Sequence, residues 1–253
     1  MDQLSIFDFT RQPFKIDKPI RLISLFSGYD SQAMALKRLG VNFEHYRAVE
    51  FDKYAMASLN AIHGTNFSVT DIRDVHADDL GIIDKDKYCY LVTYSAPCTD
   101  ISRAGEQKGF EEGSGTRSSM LWEVKRLLQE MKAGGQLPDV LLMENVDSIH
   151  DEGNRKLFMK WINALEDIGY VNYQQDLTAY DFGIPQNRTR TFVVSLLGEY
   201  NYKFPREMPL RYCIENFYED LTEEQALQLV VKSEKAHALL VELNADGKLE
   251  KAD

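Results

Sequence analysis

The chain has 253 residues, 44% of them hydrophobic, three cysteines and a formal net charge of -11. That length fits one large domain or one domain with an appendage, and no apolar run approaches the roughly 18 residues that a membrane span requires. Cys89, Cys98 and Cys213 are too few and too widely spaced for a disulfide framework or a zinc site, which predicts a metal-free protein of a reducing cytoplasm. The opening stretch Met1–Phe9 lacks the basic and apolar regions of a signal peptide. A chain this acidic is expected to bind DNA weakly by itself unless its basic residues cluster, because phosphate neutralisation by Lys and Arg dominates such binding.

Residues 1–20 read as an arm ending in Lys18-Pro19. Strands and helices then alternate. Leu22 to Phe26 reads as a buried strand followed by the turn Ser27 to Ser31, and then a helix with Ala33, Leu36 and Leu39 on one face and Gly40 as its stop. His45 to Glu50 is the second strand and Tyr54 to Ile62 the second helix. Phe67 to Val69 is expected as a short third strand with Asp71 at its end, and Tyr88 to Tyr94 as the next. Residues 99–117 form a long glycine-containing loop, a length that in a compact domain signals function or mobility. Ser118 or Ser119 is expected to cap a helix running to Met131. Val140 to Met143 is a strand, Arg155 to Ile168 a helix, and Val171 to Leu177 and Thr191 to Leu197 are strands. Beyond Phe204-Pro205 the strand pattern stops. Residues 205–253 hold 11 acids against 6 bases, and Leu221 to Val241 reads as helical with Leu227, Val230, Val231 and Leu239 as apolar positions.

Such alternation predicts an α/β fold, a doubly wound and mostly parallel sheet covered on both faces. Ligands bind beyond the carboxyl ends of the strands in these sheets. Gly28, Glu50, Asp71, Pro97-Cys98 and Glu144 each follow a predicted strand, so their side chains collect at one edge of the fold.

Phe26-Ser27-Gly28 and Glu50 have the spacing of a nucleoside site: the glycine admits a close ligand and the acid accepts ribose hydroxyls. The competing reading is an ordinary tight turn with an exposed glutamate. The stretch lacks the full Gly-x-Gly-x-x-Gly fingerprint, which disfavours a dinucleotide. Asp71 could hydrogen-bond an adenine amino group or merely cap a turn. Cys98 at a strand-to-loop transition is a candidate nucleophile if its thiolate is stabilised, whereas most cysteines are small buried hydrophobes. Glu144, after the apolar Val140–Met143, could donate a hydrogen bond to a ring nitrogen, or could be a solvated strand-end charge. Arg188 and Arg190 share one face at period two, pointing into the site or into sheet-edge salt bridges.

Taken in order, these residues strongly resemble the cytosine-C5 DNA methyltransferases, from about Arg21 to about Pro209. Phe26-Ser27-Gly28 is similar to that family's cofactor motif, Glu50 with Phe51 to its ribose-binding acid, and Asp71-Ile72 to its adenine-contacting pair. Pro97-Cys98 resembles the catalytic dipeptide, and Ser102-Arg103-Ala104-Gly105 its mobile loop. Glu144-Asn145-Val146 and Asp181 to Arg190, reading Asp-Phe-Gly-Ile-Pro-Gln-Asn-Arg-Thr-Arg, resemble its two later motifs. The resemblance implies a Rossmann-like methyltransferase fold spanning residues 21–204, S-adenosylmethionine as cofactor and double-stranded DNA as partner. It implies Cys98 as nucleophile, Glu144, Arg188 and Arg190 as further catalytic groups, and Phe26, Ser27, Gly28, Glu50, Phe51, Asp71, Ile72 and Pro97 at the cofactor.

Three departures stand out. Where the family has a second glycine in Phe-x-Gly-x-Gly, this chain has Asp30, which either faces the cofactor's cationic groups or caps the next helix. Thr99 follows the catalytic cysteine in place of the usual glutamine. The family's target-recognition region, its Arg-x-Leu-Thr-x-x-Glu block and its closing Gly-Asn-x-Val element have no counterpart here. The expectation is therefore the catalytic chain of a split enzyme, with residues 205–253 as a helical extension that docks a second polypeptide. A stand-alone enzyme of low specificity and a catalytically silent, partner-binding relative are the alternatives. The loop lacks the Cys-Phe-Thr pattern of the related enzymes that act on transfer RNA.

Overall fold

A computed structural model describes residues 11–97, 118–230 and 232–245. The expectations for Cys98, Thr99, the Ser102–Gly105 stretch and Val231 lie outside those residues. The chain separates into two compact units, Met1–Leu210 and Arg211–Asp253.

In the first unit, the elements follow in chain order: β1 (Gln12–Pro13), β2 (Ile20–Leu25), α1 (Ser31–Arg38), β3 (Phe43–Val49), α2 (Lys53–His63), α3 (Ala77–Leu80) and β4 (Cys89–Tyr94). They continue with α4 (Leu121–Ala133), β5 (Val140–Val146), α5 (Glu152–Ile168), β6 (Tyr170–Thr178), β7 (Thr189–Leu197) and β8 (Tyr200–Asn201). Six strands form the central sheet in the order β3-β2-β4-β5-β7-β6, while β1 pairs with β8 apart from it. The β3-β2-β4-β5 part is parallel, and β7 runs antiparallel to both β5 and β6. The order reverses between β2 and β4, because the chain leaves β2 toward β3 and returns on its other side. A crevice opens at the carboxyl ends of two such strands, where crossovers leave in opposite directions.

Period-two alternation gives the sheet two different faces. Ile23, Leu25, Tyr90, Val92, Tyr94, Leu141, Met143 and Val193 point into the main core with the apolar sides of α4 and α5. In α4 the buried positions are Leu121, Trp122, Val124, Leu127, Leu128 and Met131, and in α5 they are Phe158, Trp161, Ile162, Leu165 and Ile168. Both sets follow helical spacing, so each helix lays one stripe on the sheet. Trp161 is fully buried and meets Tyr94 and Trp122 edge-on. On the opposite face, Cys89, Val140, Val194 and Leu196 form a smaller cluster closed by Phe14, Tyr202 and Phe204, and α2 packs Met56 and Leu59 against Ala48 of β3.

Several local expectations need correcting. Phe67–Val69 is not a strand: the segment is held by Asn60, whose side chain bonds Phe67 N and O, and by Thr70 N donating to the carbonyl of Glu50. α4 opens through a 3-10 turn at Ser118–Met120, so the cap position of the α-helix falls at Met120 rather than at Ser118 or Ser119. β5 runs on to Val146, so Glu144 lies within the strand, paired with Phe192, rather than beyond its end. Leu39 is 74% exposed, so the apolar stripe of α1 is not all buried.

In the second unit, the helical stretch is two helices, α6 (Glu223–Leu229) and α7 (Glu234–Ala245). The backbone turns extended at Val230, breaking the continuous helix that the sequence predicts. Thr222 caps α6 by accepting from Gln225 N, while the Gln225 side chain accepts from Thr222 N, a reciprocal capping box.

Candidate active site

The turn after β2 is built against its own backbone preference. Phe26, Gly28 and Asp30 all have φ of 55°, a region that costs a bulky residue such as Phe free energy and persists only when surroundings over-determine it. The holding contacts are visible. Glu50, just past β3, accepts from Gly28 N through Oε2 and from Asp52 N through Oε1, both at 2.8 Å. Asp30 N donates to Ser27 O at 2.8 Å. A Cβ at Gly28 would meet no atom within 4 Å, so the turn presents open space and not packing. The Ser27 hydroxyl oxygen is buried without a hydrogen-bond partner among the described residues, which is costly unless a ligand or water completes it.

This turn forms one end of a cleft of about 820 Å³. Its walls are Phe26 to Gln32 with Leu36 of α1 and Leu39 just past it on one side, and Thr178, Ala179, Phe182, Arg188 and Arg190 on the other. Leu91 and Thr93 of β4, Leu142 and Glu144 of β5 and Phe192 of β7 make the floor. Thr93 Oγ1 donates to Ser24 Oγ at 3.2 Å, a buried polar pair under the point where the strand order reverses. A larger groove of about 1370 Å³ between α4 and α5 is lined by helix-borne and flanking residues, Lys125, Arg155 and Lys160 among them. It contains none of the strand-end residues.

Within the cleft, Arg190 Nε lies 3.2 Å from Glu144 Oε1, with both side chains about a quarter exposed. The pairing follows from register. Arg190 stands opposite Val146 and Phe192 opposite Glu144 on neighbouring antiparallel strands, so the guanidinium needs only to reach diagonally across one pair. Arg188 is exposed at the same rim. The sequence reading gave Asn145 no role of its own, yet it is buried. Its amide donates to Ala96 O at 3.5 Å, and its Oδ1 accepts from Val146 N at 2.8 Å. It thus joins the end of β5 to the residue before Pro97. A polar residue inside an otherwise apolar strand was the available signal.

The remaining expected residues are less uniform. Asp71 accepts from Arg73 N and Nε at 3.0 and 2.9 Å, and this guanidinium holds its carboxyl below the usual carboxylate range. Asp71 also caps the 3-10 turn Ile72–Asp74, in which Ile72 is buried in the core. Arg126 of α4 clamps that turn by donating to the carbonyls of Ile72 and Val75 at 3.0 and 2.9 Å. Phe51 is 70% exposed. Asp30 resolves its two readings: its side chain is fully buried, and Oδ1 accepts from Ala33 N at 3.1 Å as the cap of α1. Of the two described cysteines, Cys89 is buried and Cys213 exposed. Burial pushes the Cys89 thiol up to about 12, far from the reactive thiolate range.

A doubly wound sheet with a glycine turn after its first parallel strand, an acid after the next strand and a paired carboxylate and guanidinium across the cleft makes a Rossmann-like architecture. A family model for C-5 cytosine-specific DNA methylases matches residues 20–247, and the chain belongs to that family. It is 32% identical to the type II methyltransferase M2.ScrFI of Lactococcus lactis subsp. cremoris, over 81% of this chain and 69% of that one. It is 43% identical to the orphan methyltransferase M.SssI of Spiroplasma monobiae, over 53% of this chain and 33% of that one. Among solved structures, the Entamoeba histolytica methyltransferase EhMeth shares the fold with a TM-score of 0.65 at 18% identity, over 82% of this chain and 62% of that one. A Spodoptera frugiperda DNMT2 mutant does so with a TM-score of 0.60 at 20% identity, over 81% and 61%. The chain thus spans about a third to about two thirds of the length of these relatives.

Proposed function

We propose that this chain transfers a methyl group from S-adenosylmethionine to C5 of a cytosine in double-stranded DNA, with Cys98 as covalent nucleophile. The observation that carries the reading is the Glu144–Arg190 pair facing the Phe26–Gly28 turn across one cleft, with Pro97 following the adjacent strand β4. Cytosine C5 is a poor nucleophile. Addition of the Cys98 thiolate to C6 makes C5 enamine-like. Glu144 engages N3 and the exocyclic amine as charge develops on the ring, and Arg190 holds both Glu144 and the base carbonyl O2. Loss of the C5 proton and departure of Cys98 restore the aromatic ring. The target must leave the duplex to reach these groups.

Bound S-adenosylmethionine supplies the methyl group. The residues present fit it: the open backbone at Gly28, the unpartnered Ser27 hydroxyl, the Glu50 carboxylate with a lone pair on each oxygen beyond its two backbone bonds, and the apolar wall of Leu36 and Leu39. Asp71 and Ile72 serve as the adenine contacts in this reading, and Phe51 and Pro97 complete the pocket. DNA carrying 5-fluorocytosine at the target should trap an adduct, because the fluorine blocks the final proton loss. The trapped peptide should contain Cys98. Trapping through Cys89 or Cys213 would overturn the assignment.

Target recognition, in this reading, comes from a second polypeptide that also covers the cleft. Its support is the floor itself. Leu91, Leu142, Leu177 and Phe192 are only half buried, and Leu39 beside them is exposed. Contiguous apolar surface of this kind marks an interaction site, and a chain of net charge -11 gains little from phosphate neutralisation unless its basic residues cluster. Robust site-specific methylation by the isolated chain at physiological salt would refute this part and favour the stand-alone enzyme.

A further inference from the structure

The Asp30 carboxyl group has a second neighbour that a helix cap does not need. Its Oδ2 lies 2.8 Å from Nε2 of His45, a β3 residue whose side chain is about 10% exposed. Beyond that contact, neither Oδ2 nor either His45 ring nitrogen has a hydrogen-bond partner among the described residues. The imidazole is boxed by rings, with His63 edge-on at 5.1 Å and Phe67 at 5.0 Å. His63 Nε2, in turn, sits 2.9 Å from the carbonyl oxygen of Tyr29. The turn is thus tied at each of three successive residues. Gly28 is held through Glu50, Tyr29 through His63 and Asp30 through His45. All three ties come from β3, its end or the helix that follows it.

We propose that Asp30 is a positioning residue for the cofactor, its carboxyl braced by His45 so that the Phe26–Gly28 turn stays open in its left-handed conformation. The argument is one of cost. A left-handed Asp is more tolerable than most residues but still dearer than glycine, and a wholly buried carboxyl group is unfavourable unless paired. Retaining both at the turn that faces the cleft makes sense if the pairing rigidifies that turn. With glycine here the turn would lose both its cap and its brace. A more ordered turn lowers the entropy lost on ligand binding.

The proposal rests on the reading that this turn holds the cofactor, so the test reads the brace and the cofactor separately. Asp30→Asn keeps the cap, because the amide oxygen still accepts from Ala33 N, but removes the negative charge facing His45. In the full chain, amide hydrogen exchange over residues 26–33 should quicken at least about tenfold in Asp30→Asn and in His45→Gln, with the thermal midpoint nearly unchanged. The double variant should do no worse than either single one, since both remove the same contact. Calorimetric affinity for S-adenosylhomocysteine should fall about tenfold in each. Unchanged exchange in both single variants would overturn the brace. Faster exchange with undiminished affinity would reduce Asp30 to a structural residue and overturn the positioning role. Failure of the unaltered chain to bind S-adenosylhomocysteine, with or without DNA, would instead remove the cofactor reading on which the role depends.

Discussion

The two faces of the central sheet are made by the same strands and end differently. On one, Tyr90, Val92, Leu141, Met143 and Val193 are essentially inaccessible beneath α4 and α5. On the other, Leu91, Thr93, Leu142, Glu144, Arg190 and Phe192, often the very next residues, line an open cleft. Alternation therefore assigns the closed core to one set of positions and the open cleft to the set interleaved with it. A substitution's consequence should depend on its parity in the strand more than on its place in the sequence.

The largest effect expected is on chemistry alone. Cys98→Ser should reduce methyl transfer to background while leaving the thermal midpoint in place; residual turnover would move the nucleophile elsewhere. The converse belongs to the closed face. Trp161→Ala empties a fully buried site against Tyr94 and Trp122 and should cost about 3–5 kcal/mol of stability. Chemical denaturation measures it, and a loss under about 1 kcal/mol would mean that this face is not the structural one. Glu144→Gln stands between the two cases. It keeps the shape of the side chain but removes the charge beside Arg190, so turnover should fall about 10²–10³-fold with little change in denaturation midpoint. Loss of fold in this variant would show that the cleft face is structural after all.

Glu50 tests the boundary between the faces. Its carboxylate already holds two backbone N–H groups, so Glu50→Ala should loosen the turn as well as the cofactor. Glu50→Gln retains one acceptor oxygen and should cost less. With about 1.5–3 kcal/mol for each charge-assisted bond removed, calorimetry should rank unaltered chain, Gln and Ala in falling affinity for S-adenosylmethionine. Equal affinities would exclude Glu50 from the pocket.

Much of this layout was legible beforehand because it follows from short-range periodicity. The α5 stripe from Phe158 to Ile168 and the alternation of β4 can be read from spacing alone. The Phe26–Gly28 turn was legible for a different reason: a glycine directly after one strand and an acid after the next mark a tight turn at the strand ends. Legibility failed where a side chain overrode the local pattern. Phe67–Val69 looks like a strand, but the Asn60 side chain takes its backbone bonds. The apolar run of β5 stops at Met143, whereas antiparallel pairing with β7 carries the strand through polar Glu144 and Asn145 to Val146. The His45 contact of Asp30 joins residues from different elements, and no local pattern in one sequence announces it. The exposure of Leu39 depends on what covers the sheet nearby, also a tertiary fact.

The smallest effect concerns the lower part of the cleft face, where Phe14, Tyr202 and Phe204 close over Cys89, Val140, Val194 and Leu196. If that part is sealed, Cys89 should be inert although it shares a face with the open cleft. Burial raises its thiol from an ordinary 9.0 to about 12. The folded protein then keeps a proton that the unfolded chain gives up, so this group's contribution to stability is intact below about pH 9 and is lost as pH rises toward 12. In a Cys98→Ser background, where two thiols remain, iodoacetamide at pH 8 should label exposed Cys213 quickly and Cys89 only on unfolding. Mass spectrometry of the two peptides separates the rates. Labelling of Cys89 at the rate of Cys213 in folded protein would mean that solvent reaches the whole cleft face, and the division of that face into a sealed lower part and an open upper one would fail.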